Sequence, residues 1–532
     1  MYRVDLGTIA AIVLAGMLVA ACGDDSAEGN DNTNTNSNTN LNSNTNANTN
    51  GNTNANVNTN VNSVHSGCDG RLEPVPLRGE QVVVGDGSPG SCTAQALQDA
   101  VAATNAATDG GSITFDCGGE HTITLDSELY VEAPLLVDGQ GQVTLSGGGT
   151  TRIFELDHYT DFVVQRITLT RGSAPESGGA ILHPWYGTLQ AIDATFLDNH
   201  GESTDPEIGG GAIFAGGLEE AVISGCVFVG NSASNGGAIL NRGSTLTVVD
   251  TVFQDNWTTS SGDSGQVGNG GGLYIDGMNY DVDGDFHLCG SVFEANHANQ
   301  HGSALFGYFY EGSHAYIDQC LFEANEFDGS PSGGAGGLYH QGVGLTLTNS
   351  TLADNRSDKH AAGLFVGSGS SAEVVNCTFA NNVVPEVGAA VFNGASPVNL
   401  THCTFYGNDA DYGPAIFKGE DATMTVTGCL FAYNTTPNQY SALACHATLG
   451  DGGGNLQWPE TKPSGNPDNP CAAGVTFADP LLEPLNDNGG TTPTMALGSG
   501  SPAIDAASDC PDTDQRGEPR GSTCDAGAYE AP

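Results

Sequence analysis

From about Phe162 to Asn434 the apolar and polar positions of the chain recur as one unit: an apolar residue, two variable residues and an asparagine. The unit reads Phe196 to Asn199, Phe228 to Asn231, Phe253 to Asn256, Phe293 to Asn296, Phe322 to Asn325, Leu352 to Asn355, Phe379 to Asn382, Phe405 to Asn408 and Phe431 to Asn434, at intervals of 25 to 40 residues. Most units add small residues ending in an aliphatic, as in Gly210-Gly211-Ala212-Ile213 and Gly236-Gly237-Ala238-Ile239. Between these marks lie short alternating runs rich in β-branched residues, such as Leu345-Thr346-Leu347-Thr348, which is the pattern of strands and turns rather than helices. A unit this short cannot bury its own apolar face and must stack on its neighbours. About three short strands per unit predict one coil of a right-handed, single-stranded parallel β-helix, an all-β fold; a propeller blade needs roughly 40 residues and four antiparallel strands.

Stacking makes equivalent residues neighbours. Cys226, Cys320, Cys377, Cys403 and Cys429 each precede the apolar mark by two residues, so they should point inward with the phenylalanines, buried and reduced. Ala194, Thr251, Ser291 and Ser350 take that slot in other coils, as a narrow interior position requires. The repeated asparagine suits a turn in which each amide bonds backbone and the next asparagine, and the paired glycines suit a sharp corner or unusual φ. One helix is expected, over residues 92–107, with Leu97, Ala100, Val101 and Ala107 as its apolar stripe; it would form the N-terminal cap of the stack.

Composition narrows the partners. The chain has 532 residues, 62 acidic against 13 basic, and a formal charge of -49, a balance that repels nucleic acid and anionic headgroups. Residues 1–21 read as an export signal, too short in its apolar run to span a membrane. Val19-Ala20-Ala21-Cys22 resembles the bacterial lipoprotein lipobox, which implies cleavage before Cys22 and lipidation there; an ordinary secretory signal is the alternative. Gly23 rather than aspartate after the cysteine favours the outer membrane, with the body at the cell surface. Residues 22–67, where asparagine alternates with small residues, read as a disordered tether. The β-helix is expected over 68–434 and an irregular C-terminal cap over 435–532.

In the last region, Asp479-Pro-Leu-Leu, Asn488-Gly-Gly-Thr-Thr-Pro-Thr, Ser501-Pro-Ala-Ile-Asp505, Asp514-Gln-Arg-Gly-Glu-Pro-Arg520 and Cys524-Asp-Ala-Gly-Ala-Tyr-Glu530 resemble the closing region of choice-of-anchor Q surface proteins. The Gly-Gly-Ala-Ile and Phe-x-x-Asn units resemble the repeats of chlamydial polymorphic outer membrane proteins. These resemblances imply an exported, pectin-lyase-like parallel β-helix. No segment resembles the autotransporter barrel of the latter family.

Export permits disulfides, and Cys92 with Cys117, Cys445 with Cys471, and Cys510 with Cys524 are candidate pairs. Thirteen cysteines follow Cys22, an odd number, so at least one stays free or pairs between chains.

Candidate chemistry is sparse. Arg152, Arg166 and Arg171 fall in adjacent early coils beside His158 and Asp161 and are the best enzyme-like cluster for a polysaccharide lyase or hydrolase; solvated residues on an acidic surface are the alternative. Asp281, Asp283 and Asp285 alternate in an inserted loop and suit Ca²⁺, or a charged surface loop. An aliphatic–aromatic pair recurs after the glycines, including Tyr274, Phe306, Tyr339 and Phe365. Either the chain bends there and both residues face inward, or the aromatics form an outer ladder able to stack on sugars or on another protein. Trp185, Tyr186, Tyr308, Phe309 and Tyr310 lie just beyond and would make the strongest local patch. The reading is a non-enzymatic surface lipoprotein, an adhesive, structural or glycan-binding stalk. It would meet the membrane only through its lipid, with an extracellular glycan or a surface protein of a host or neighbouring cell as partner. The alternative is an enzyme that degrades extracellular glycans.

Overall fold

Three of the four corners in a coil have a recurring backbone, and two of these are made by a single residue in the left-handed region. The residue before each interior slot takes φ of 48 to 63° (Asp193, Gly225, Asp250, Gly290, Gln319, Asn349, Asn376, His402 and Gly428). The residue before each ladder asparagine takes φ of 52 to 64°, from Asp198 to Tyr433. Asp, Asn and Gly dominate these positions because they tolerate this region best. The third corner uses the paired glycines: Gly236 has φ 59°, and a Cβ there would meet the Ile239 carbonyl oxygen at 2.2 Å.

The chain divides into two units, Met1–Asn60 and Val61–Pro532. The computed structural model describes Cys68 and residues 70–203, 205, 208–260, 266–277, 284–327, 329 and 334–532, all within the second. These form a right-handed parallel β-helix of four sheets. Sheet 1 has 14 strands, from Glu80–Gly85 to Gly450–Asp451, and sheet 2 has 14, from His121–Thr124 to Thr476–Phe477. Sheet 3 is a ladder of 7 two-residue strands, from Ser173–Ala174 to Arg356–Ser357, and sheet 4 has 11 strands, from Leu129–Val131 to Ile416–Lys418. One coil visits them in turn, as in Phe162–Gln165, Thr168–Thr170, Ser173–Ala174 and Ile181–Pro184. Three strands per coil were expected; the two-residue strand of sheet 3 is too short to leave a pattern.

Register aligns the repeat as the intervals predict. Phe196, Phe228, Phe253, Phe293, Phe322, Leu352, Phe379, Phe405 and Phe431 are successive partners in sheet 2. Their rings stack at 4.5 to 5.1 Å except across Leu352. Beside them each ladder asparagine gives its Nδ2–H to the next asparagine's Oδ1 at 2.9 to 3.1 Å, from Asn199 to Asn434. The same oxygen accepts the preceding backbone N–H, so a fully buried polar column is satisfied internally. The five slot cysteines are buried and free.

Helix α1 (Ala94–Asn105) closes the N-terminal end, with Thr93 as N-cap and Leu97, Ala100, Val101 and Thr104 buried. Ala107, expected in the apolar stripe, lies past the helix, and Thr104 takes the inward place, its hydroxyl donating to the Val101 carbonyl. Strands at Gly450–Asp451, Leu456–Trp458 and Thr476–Phe477 carry the stack past residue 434. Rather than only covering the last coil, the remaining residues fold back along the flank. Gly527 donates to the Gly428 carbonyl, Ala528 to Thr404, and Gln515 exchanges hydrogen bonds with Thr351 and Thr378.

Candidate functional site

The expected disulfides are present: Cys92–Cys117, Cys445–Cys471 and Cys510–Cys524. A fourth, Cys68–Cys289, spans 221 residues. It pins the start of a strap that runs back over the outside of sheet 1. Arg71 bonds Ser224 and pairs with Asp193 and Asp250; Val75 exchanges bonds with Gln165; Arg78 bonds Ser112. Leu72 and Val75 cover Leu136, Val163 and Ile192. Four pairs and five ladder thiols account for the thirteen cysteines after Cys22.

The five enzyme-like residues are not brought together: no hydrogen bond or ion pair joins any two of them among the described residues. Arg152 is buried, pairing with Glu128 at 2.9 Å and Glu155 at 2.8 Å while donating to the Ser177 and Gly178 carbonyls. Arg166 pairs with Asp138. Asp161 accepts from the backbone and hydroxyl of Thr188, fixing the next turn. His158 and Arg171 are exposed at different corners. A shallow polar recess on sheet 2, about 530 Å³, is lined by Glu120, His121, Arg166 and Asp193, of which Asp193 is paired with Arg71. Cys22, Asp281 and Asp283 lie outside the described residues. Asp285 accepts the His314 backbone N–H at 2.9 Å, and no group of three or more metal-binding side chains occurs among the described residues.

The aromatic ladder resolves differently from either simple expectation. In Leu273–Asp276 the strand does not bend: Leu273 and Ile275 are fully buried, so Tyr274 projects from the outer face. Tyr274, Phe306, Tyr339, Phe365, Phe392 and Phe417 then stack face to face at 4.5 to 5.2 Å, and His446 ends the row. His301 and His360 pack on its side, with Ala335 and Ala361 at the base. Burial holds the His301 imidazole down to about 4. Phe306 and Tyr339 are each only 8% exposed. The faces of Tyr274, Phe306, Tyr339 and Phe365 thus cover one another, and the row stands on the outer face as a stacked spine that turns its edges outward.

One line of exposed aromatics lies where the chain leaves sheet 4. Trp185 is 40% exposed, Tyr308 37% and Tyr310 45%. Tyr186 is half-buried under Tyr159, whose ring stacks on it at 4.5 Å and is itself 70% exposed. Phe309, expected in this patch, turns inward and packs near Phe286 and His340. The backbone bonds Trp185 to Gly216, Gly217 to Arg242, Gly243 to Asp276 and Gly277 to Tyr308, so these residues form one line parallel to the helix axis. Glycine leaves that line low: the Trp185 ring lies against Gly217 and the Tyr310 ring against Gly277. The Tyr310 hydroxyl donates to Asp276 at 3.0 Å. Tyr159, Arg242 and Asp276 were not singled out in the sequence, because residues contributed by separate coils share no local motif.

Compared with known families, residues 269–436 match the model described as right handed beta helix region. A search of curated proteins found no match to the chain. No helix among the described residues is long and apolar enough to cross a membrane.

Proposed function

We propose that this protein is an extracellular, non-enzymatic glycan-binding β-helix, held at the outer membrane surface by a lipid on Cys22 and spaced from it by the asparagine-rich segment. The observation that carries the binding reading is the row of exposed rings at the turn leaving sheet 4, Tyr159, Trp185, Tyr308 and Tyr310, which successive coils bring to one corner. Aromatic faces bind the C–H faces of sugars, and this row sits on short turns whose backbones are hydrogen-bonded from coil to coil. Engagement of Arg152, Asp161 and Arg166 in structural bonds weighs against the degradative alternative. Display at the surface is supported by the lipobox resemblance and the strongly acidic composition.

Two measurements test this reading. Metabolic labelling with an alkyne fatty acid should mark the full chain and not Cys22→Ala. The purified chain should bind glycans on an array without releasing oligosaccharides, with or without added Ca²⁺. Array-wide silence would refute the binding role, and sustained release of oligosaccharides would replace it with an enzymatic one.

A further inference from the structure

Cys68 is bonded to Cys289, which ends the strand Phe286–Cys289, the eighth of the 14 in sheet 1. The chain that follows Cys68 does not enter the coil it has just joined. It runs back across the outside of sheet 1 and begins the first strand, Glu80–Gly85, at the far edge. On the way Gly70 lies against Val249, Arg71 and Leu72 bond Ser224, Val75 exchanges bonds with Gln165, and Arg78 exchanges bonds with Ser112. Gly225 makes room for this path, since a Cβ there would meet the Arg71 guanidinium at 1.9 Å. From Cys289 to Ser112 is six strand spacings, about 29 Å. Cys68 to Arg78 is ten residue steps, which reach about 33–36 Å when fully extended. The strap is therefore close to straight, and its length sets the coil that Cys68 can reach.

That coil decides where a pull is felt. In a solenoid each coil touches only its neighbours. An end coil is held across one interface, so a pull on it peels coils one at a time. A coil in the middle is held across two. Without the disulfide, a pull on the chain ahead of Cys68 would lift the hydrogen bonds of the strap in turn and arrive at the Glu80–Gly85 strand, the end of the stack. With it, the pull passes through sulfur from Cys68 to Cys289. Everything between the two cysteines, helix α1 included, then lies outside the loaded path.

We propose that the Cys68–Cys289 bond is a force-bearing mooring: tension on the chain ahead of Cys68 enters the body at the eighth strand of sheet 1 and bypasses the N-terminal coils and their cap. This goes beyond the binding reading and holds whichever ligand the body takes.

Force spectroscopy on the full chain, held by peptide tags at its two ends, tests it. In the oxidised parent the first rupture force should stay the same when the cap is weakened by Leu97→Ala, which empties a fully buried site. In the Cys68→Ser, Cys289→Ser protein the same change should lower the first rupture force. Complete unfolding of that protein should also gain about 700 Å of extension over the parent, because the segment between the two cysteines, less the loop closed by Cys92 and Cys117, joins the force path. Circular dichroism establishes that each variant folds; if Leu97→Ala does not, Thr93→Ala, which removes only the N-cap, takes its place. A first rupture force that falls with the weakened cap in the oxidised protein would overturn the mooring, and so would equal extension with and without the two cysteines. Either result leaves the outcome of the glycan array untouched.

Discussion

Cys68 is disulfide-bonded to Cys289, 221 residues later, in the coil next to the one where Gln319 hydrogen-bonds Thr491. The N-terminal strap and the C-terminal closing region thus run along the same corner, between sheets 1 and 2, toward each other. The strap covers it from Gln165 to Cys289 and the closing region from Gln319 to Gly428. The turn leaving sheet 4, with its exposed rings, lies at another corner.

Cutting the first of these fastenings should loosen the early coils. Cys68→Ser with Cys289→Ser is expected to cost about 2–5 kcal/mol, because a very long loop is no longer closed in the unfolded chain. Guanidinium unfolding should show the loss, and hydrogen exchange should place it in the strands that the strap crosses. Unchanged protection of the Phe162–Gln165 and Thr188–Ile192 strands would contradict the clamp.

The asparagine column should be far less tolerant than its surface-like residue type suggests. Asn296 accepts from the Asn256 side chain and backbone and donates to Asn325 and the Phe253 carbonyl. Asn296→Ala leaves buried groups without partners on both sides, at about 1–3 kcal/mol for each one orphaned. Asn296→Asp keeps the acceptor, loses the donor and buries a charge, so thermal unfolding should rank it below alanine.

Strain at the second corner gives a prediction of opposite sign. Ala295 and Ala324 hold φ of 53 and 54°, where a Cβ is disfavoured. Replacing either with glycine should stabilise the fold by about 1 kcal/mol, read as a higher denaturant midpoint.

The interior thiols should be chemically silent. Burial pushes Cys226 up to about 12 and holds Cys320, Cys403 and Cys429 well above the ordinary thiol range. The folded value exceeds the unfolded one, so the stabilising contribution is complete below the ordinary thiol pKa of about 8.5 and is lost as pH rises from there through the folded value. Iodoacetamide at pH 8.5 should leave all five ladder cysteines unmodified in the native protein and modify them in guanidinium. The denaturant midpoint should fall between pH 8 and pH 10, and substituting the ladder cysteines with alanine should flatten that fall.

Much of this architecture was legible because the repeat places like residues in register. The Phe-x-x-Asn mark and the cysteine slot predicted both interior columns, and the paired glycines predicted a corner. The aromatics after the glycines misled because Phe306 and Tyr339, buried against their own neighbours outside the core, carry the same apolar signal as core residues. Cys68 lay beyond reading, since a strap that crosses sheet outside the coils repeats nothing. The row of exposed rings was only half visible: Trp185, Tyr308 and Tyr310 stood out as aromatics, but Tyr159 joins them only when the coils are stacked.

The most direct measurement of the central claim uses Trp185 itself. The chain has three tryptophans, and changing Trp257 and Trp458 to phenylalanine leaves Trp185 as the sole indole reporter. Titrating that protein with a soluble oligosaccharide of a glycan that it binds on the array should give a saturable change in Trp185 emission. A bound oligosaccharide that leaves Trp185 emission unaltered at saturation would contradict the account.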